Sequence, residues 1–139
     1  MAIQELPLIN VLRDTFRLTG GKVACDEGFC GACTLHIDGE LAVGCLKAIG
    51  TVEGKQITTI EGIGHHSKLN TVQQAFEDHD VVQCGMCFPG MVMTCTHLLD
   101  KNSNPSREDV KSAMTGNICR CTGYERIIDA VMSIKADAG

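Results

Sequence analysis

Residues 25–33 read CDEGFCGAC, and this stretch decides how the first half of the chain must fold. Cys25, Cys30 and Cys33 stand at x4 and x2 spacing, and Cys45 follows after a longer gap. Three thiols from one loop and a fourth from a later segment is a spacing that holds a [2Fe–2S] cluster. Gly28 and Gly31 let the backbone curl round a bulky inorganic core and aim N–H groups at its sulfurs. Such hydrogen bonds help to set a reduction potential. A structural zinc site is the competing reading, but zinc usually takes two short C-x2–4-C knuckles.

The second half carries a different quartet: Cys84 and Cys87, then Cys119 and Cys121. The local pattern puts Cys84 and Cys87 at the start of one helix and the other two just before another. Both pairs would then meet at helix N-termini, where the positive end of the macrodipole favours an anionic cluster. Arg120 would offset the same charge. Taken alone, this quartet leaves zinc open, whereas a thioredoxin-like site lacks its surrounding βαβ pattern. Two redox centres in one small chain mean that it moves electrons. The ninth cysteine, Cys95, lies on an apolar helix stripe and reads as a core thiol.

Composition bounds the rest. A chain of 139 residues makes one or two small domains, for which metal clusters serve as staples. Its apolar runs fall short of a membrane span, and the N-terminus, MAIQELPLIN, shows no export signal, so a cytoplasmic location is expected. A net charge of −5 with no basic run argues against nucleic acid. His65 and His66 read as a solvated linker pair, and His36, His79 and His97 as isolated structural residues. Glu77 to Asp80 reads as an exposed helix end. No phosphate loop, nucleophile motif or H-E-x-x-H is present, so no catalytic residue is assigned.

The expected fold is α+β. A first helix carries Leu8, Val11, Leu12 and Phe16 on one face, with Gly20 and Gly21 as its stop. TLHIDGELAVGCL reads as a hairpin turning at Asp38-Gly39, and QITTI, residues 56–60, as a further strand. After a polar linker at 61–69 the chain is helical. One helix buries Val72, Ala75 and Phe76. The next begins near Pro89 and carries Met91, Val92, Cys95, Leu98 and Leu99. Ser106 and Asp109 form a capping box before Val110, Ala113 and Met114, and Ile127, Ile128, Val131 and Ile134 line the last helix.

GFCGACT, QCGMCFPGM and GNICRCTGY, in this order, resemble the small iron–sulfur subunit of molybdenum hydroxylases, the xanthine oxidase, aldehyde oxidase and carbon monoxide dehydrogenase family. The resemblance covers roughly residues 6–134 and speaks against the zinc readings. It implies a β-grasp, plant-type ferredoxin-like domain over 1–62 and a four-helix bundle domain over 63–139, each with a [2Fe–2S] cluster. Cys25, Cys30, Cys33 and Cys45 would hold one cluster, and Cys84, Cys87, Cys119 and Cys121 the other. Gln83 and Cys121 fall where the family contacts the molybdenum–pterin cofactor of a large partner subunit. Electrons would run from molybdenum through the second quartet to the first, then to FAD on a flavin-binding subunit or to another acceptor. The start departs from the family pattern, because only about five residues precede the first helix where a β-hairpin is usual. The grasp sheet is therefore expected to be truncated, smaller or completed by a partner. Met86 and Phe88 are milder variations. A free two-cluster ferredoxin and a structural zinc adaptor are the alternative functions.

Overall fold

The computed structural model describes residues 2–138. Among these residues are a three-stranded sheet and five α-helices, with short 3-10 turns between them. Helix α1 (Leu8–Asp14) follows Pro7, whose carbonyl accepts from the Asn10 and Val11 N–H groups. It buries Leu8, Ile9, Val11 and Leu12. Phe16 does not extend this face; it is 62% exposed, and the helix ends at Asp14, well before Gly20. The chain turns through Arg17 at φ 60° and returns Leu18 to the core instead. The Arg13 guanidinium pins the turn by donating to the Thr19 and Gly21 carbonyls at 2.7 and 2.6 Å.

The hairpin forms as its sequence requires. Strand β1 (Thr34–Ile37) pairs antiparallel with β2 (Glu40–Val43) through Asp38 at φ 52° and Gly39 at φ 83°. Two left-handed residues are what a tight hairpin turn of this hand demands. Strand β3 (Ile57–Thr58) is shorter than QITTI suggested and completes the order β2-β1-β3. Central β1 is buried along its whole length. By the period-2 rule its faces differ: Leu35 and Ile37 pack with Leu8, Leu12 and Val52, while His36 points the other way.

What it meets there is α3 (Phe88–Lys101), since His36 Nε2 donates to the Met93 carbonyl at 2.9 Å. Helix α3 is a shared wall. Met91, Val92 and Cys95 enter the helical core, as the stripe predicts, but Gly90, Met93 and Thr94 on its other side are buried too. Leu98 and Leu99 are partly buried. Around α3 lie α2 (Thr71–Asp78), α4 (Arg107–Ala113) and α5 (Glu125–Ala138). Their common core holds Val72, Phe76, Val110, Ile127, Ile128 and Val131. Both α2 and α4 begin with reciprocal capping boxes, Asn70 with Gln73 and Ser106 with Asp109. No described helix is long and apolar enough to cross a membrane.

Candidate metal centres

The 25–33 loop winds because Asp26, Gly28 and Gly31 all take left-handed backbone, at φ 55°, 87° and 75°. This winding turns backbone donors onto sulfur. The Glu27 N–H reaches Cys25 Sγ at 3.3 Å, the Ala32 N–H reaches Cys30 Sγ at 3.5 Å, and the Cys45 N–H reaches Cys33 Sγ at 3.4 Å. The Glu27 N–H, followed by that of Cys30, lowers the Cys25 thiol to about 6. Cys45 arrives just after β2 and is pushed up to about 12, first by burial and then by the Cys33 thiol beside it. Cys25 thus has Cys30 as a neighbour, and Cys45 has Cys33 beside it with Cys25 also within electrostatic reach.

The second quartet brings thiols together from two segments. Cys87 is the N-cap of α3, and burial followed by the nearby Cys119 thiol pushes it up to about 12. Cys84 lies against Cys121, which it raises. Cys119 is pushed up by burial, but the Thr122 hydroxyl, at 3.0 Å from its sulfur, and the Thr122 N–H outweigh that and lower it. The Cys119 N–H in turn donates to the Tyr124 hydroxyl at 3.0 Å. Gly123 and Tyr124, both at positive φ, close this turn before α5. Phe76, Val81, Met91 and Ile127 wall the site, and exposed Gln83 stands at its rim. Cys84 and Cys121 are exposed, whereas Cys119 is buried and Cys87 half-buried. Arg120 lies exposed between the last two cysteines.

The donor sets fit a two-iron core. Four soft thiolates complete two tetrahedral irons, and here N–H and O–H donors from both loops are already aimed at four of the sulfurs. Among the described residues, no group of three or more His, Cys, Asp or Glu side chains is arranged to hold a single metal ion.

The two quartets also touch. The Ile118 N–H donates to the Cys30 carbonyl at 2.9 Å, so one hydrogen bond and one residue separate Cys30 from Cys119. This contact was not foreseen, because nothing in the local pattern of either segment announces the other.

Comparison with known proteins gives a consistent answer. A sequence profile described as a [2Fe-2S] binding domain matches residues 59–132, which take in the whole second quartet. The small FeS subunit of nicotinate dehydrogenase from Eubacterium barkeri is 44% identical over 89% of the chain and 79% of its own length. The chain belongs to the family of small iron–sulfur subunits of molybdenum hydroxylases. The crystal structure of quinoline 2-oxidoreductase from Pseudomonas putida 86 contains a chain that superposes with a TM-score of 0.92 at 43% identity, covering 97% of this chain and 84% of that one. The aldehyde oxidoreductase of Megalodesulfovibrio gigas is 45% identical over 95% of this chain, which spans only 15% of that protein's length.

In this iron–sulfur subunit the remaining candidates sort clearly. Cys95 is fully buried, and burial pushes its thiol up to about 12, as a core thiol requires. His65 and His66 are exposed and stacked on each other. Glu77 to Asp80 is exposed at the end of α2. The expectation that His36 and His97 are isolated is corrected, since their rings meet edge-on at 5.7 Å. They sit 61 residues apart and are joined only by the packing of α3 on the hairpin, where His97 also reaches Glu40 at 3.7 Å.

Proposed function

We propose that this chain is the electron-transfer subunit of a molybdenum-dependent oxidoreductase complex. It relays electrons from the molybdenum–pterin centre of a large partner subunit, through two [2Fe–2S] clusters, to a flavin subunit or another acceptor. The observation that carries this reading is the pair of four-thiol sites held in contact through Ile118 and Cys30. Each cluster, when bound, supplies a one-electron carrier. The chain's own part is to donate hydrogen bonds to the thiolates, keep water from the inner pairs and fix how the two sites face each other.

On this reading residues 1–62 form a plant-type ferredoxin-like β-grasp domain with a reduced sheet, and residues 63–139 form a four-helix cluster-binding domain. Cys25, Cys30, Cys33 and Cys45 hold the outer cluster, and Cys84, Cys87, Cys119 and Cys121 hold the one nearer molybdenum. Exposure supports the assignment of Gln83 and Cys121 as pterin contacts, because both lie where a partner's cofactor can reach them. Val82, Met86 and Ile118 are exposed apolar side chains near the second quartet, which suits a subunit buried in a complex better than a diffusing carrier. A cytoplasmic location belongs to this reading, because clusters held by thiolates suit a reducing compartment.

Elemental analysis of the complex captured from its native host through this chain tests the proposal. About four irons and about one molybdenum per chain are expected. Four irons without molybdenum would point to a free two-cluster ferredoxin, and zinc in place of iron would overturn the reading.

A further inference from the structure

Asn117 lies at the centre of the contact between the two quartets. It is 5% exposed, and its amide is used at both ends: Oδ1 accepts from the Thr94 hydroxyl at 2.8 Å, and Nδ2 donates to the Gly31 carbonyl at 3.3 Å. Ile118, the next residue, donates to the Cys30 carbonyl at 2.9 Å. Two consecutive carbonyls of the first cysteine loop are thus held by two consecutive residues leading into Cys119. Thr94 belongs to α3, the helix that Cys87 caps. One side chain therefore ties together three segments, each of which brings candidate ligands.

Packing alone gives no reason for an amide at this position. A buried carboxamide is costly unless it is fully bonded, and an apolar side chain of similar size would fill the space. A bonded amide instead selects one geometry where apolar contacts tolerate several. The surrounding space is tight: a Cβ at Gly31 would run into the Gly116 carbonyl oxygen, and one at Gly90 into the Gly31 carbonyl oxygen. We propose that Asn117 is a positioning residue that fixes the separation and mutual orientation of the two clusters, and this rests on the two-cluster reading above. Electron tunnelling falls exponentially with distance, so holding the junction rigid holds the transfer rate.

The test uses the complex carrying Thr94→Val, Thr94→Ser or Asn117→Ala in this chain. Each is reduced with dithionite, frozen and examined by electron paramagnetic resonance. Two reduced clusters split each other's signals by dipolar coupling, which falls with the cube of their separation. Thr94→Val and Asn117→Ala should lose the resolved splitting while iron content and each cluster's own g-values are kept. Thr94→Ser, which retains the hydroxyl, should keep it. Splitting identical to the parent in Thr94→Val overturns the inference, and that near-isosteric variant decides the matter if Asn117→Ala does not load iron. Loss of splitting in Thr94→Ser as well would assign the effect to the methyl group and overturn it too. A parent complex with a single uncoupled signal would overturn the two-cluster reading together with this inference, whereas a split parent with unaltered variants overturns this inference alone.

Discussion

Replacing Gly90 with alanine puts one methyl group between α3 and the first cysteine loop. The new Cβ would run into the Gly31 carbonyl oxygen and stand 3.1 Å from its carbon and 3.3 Å from Asn117 Nδ2. Carbon atoms sit comfortably at about 3.5–4.0 Å. The nearest obstacle is the loop backbone, which no side-chain rotation can move aside, so helix and loop must part. Overpacking costs about 1–3 kcal/mol, and this site belongs at the upper end. Alanine returns at most about 1 kcal/mol through helix propensity. The net loss should be about 2 kcal/mol, or a fall in Tm of roughly 6–8 °C for a domain of this size. Urea unfolding of the iron-loaded chain, followed by circular dichroism, measures the stability. Visible absorbance should bleach earlier than in the parent, because Gly31 lies between Cys30 and Cys33. Gly116→Ala is the control, since a Cβ there meets nothing within 4 Å, and it should stay within about 0.5 kcal/mol of the parent. A Gly90→Ala chain as stable as the parent, or a Gly116→Ala chain equally damaged, would refute the reasoning.

Three further outcomes are expected. Thr122→Val removes the hydroxyl that donates to Cys119 Sγ at 3.0 Å. If that bond strengthens by about 1 kcal/mol when the site gains an electron, the second cluster's potential should fall by about 40 mV in a redox titration; Thr122→Ser should restore it. Ser106→Ala deletes the cap that accepts from the Asp109 N–H at 3.1 Å and should cost about 1 kcal/mol in the same urea assay. The Lys101 ammonium, at 2.7 Å, holds the Glu40 carboxyl below its usual range. A depressed acid contributes stability above its unfolded value and loses it as the pH falls through the folded one. Glu40→Gln should therefore flatten the acid limb of the stability curve, and added salt should shrink the difference because the pair is exposed.

Features set by neighbouring residues were legible in the sequence. Asp38-Gly39 fixes the hairpin because only such residues take two successive left-handed conformations cheaply. Ser106 and Asp109 fix the start of α4 because the reciprocal bonds lie three residues apart. The cysteine spacing groups the same thiols that the structure brings near one another. Misreadings arose where periodicity outran its physical limits. The stripe through Leu8, Val11 and Leu12 continues formally to Phe16, but the chain leaves the helix at Thr15 and packs Leu18 against the core instead. The α3 stripe marks the face turned to the helical core, but Gly90, Met93 and Thr94 are buried as well, because the helix also packs on β1. The His36–His97 contact and the bonds of Asn117 join segments far apart in the chain, and no local pattern encodes them.

The polarity of the second site follows from the same packing. Its four thiols are alike in sequence but not in setting. Cys84 and Cys121 are exposed, while Cys87 and Cys119 sit deeper, one capping α3 and the other one residue from the bond to Cys30. The site therefore has an outward pair that a partner can approach and an inward pair tied to the first quartet. A symmetric four-thiol knuckle on the surface would hold a metal equally well, yet it would give an electron no preferred way in or out. Gly31 and Gly90 belong to the same contact, since their missing side chains let the first cysteine loop lie directly on α3. On the relay reading proposed above, the cysteines would hold the clusters, while the glycines, Thr94 and Asn117 would set one quartet against the other.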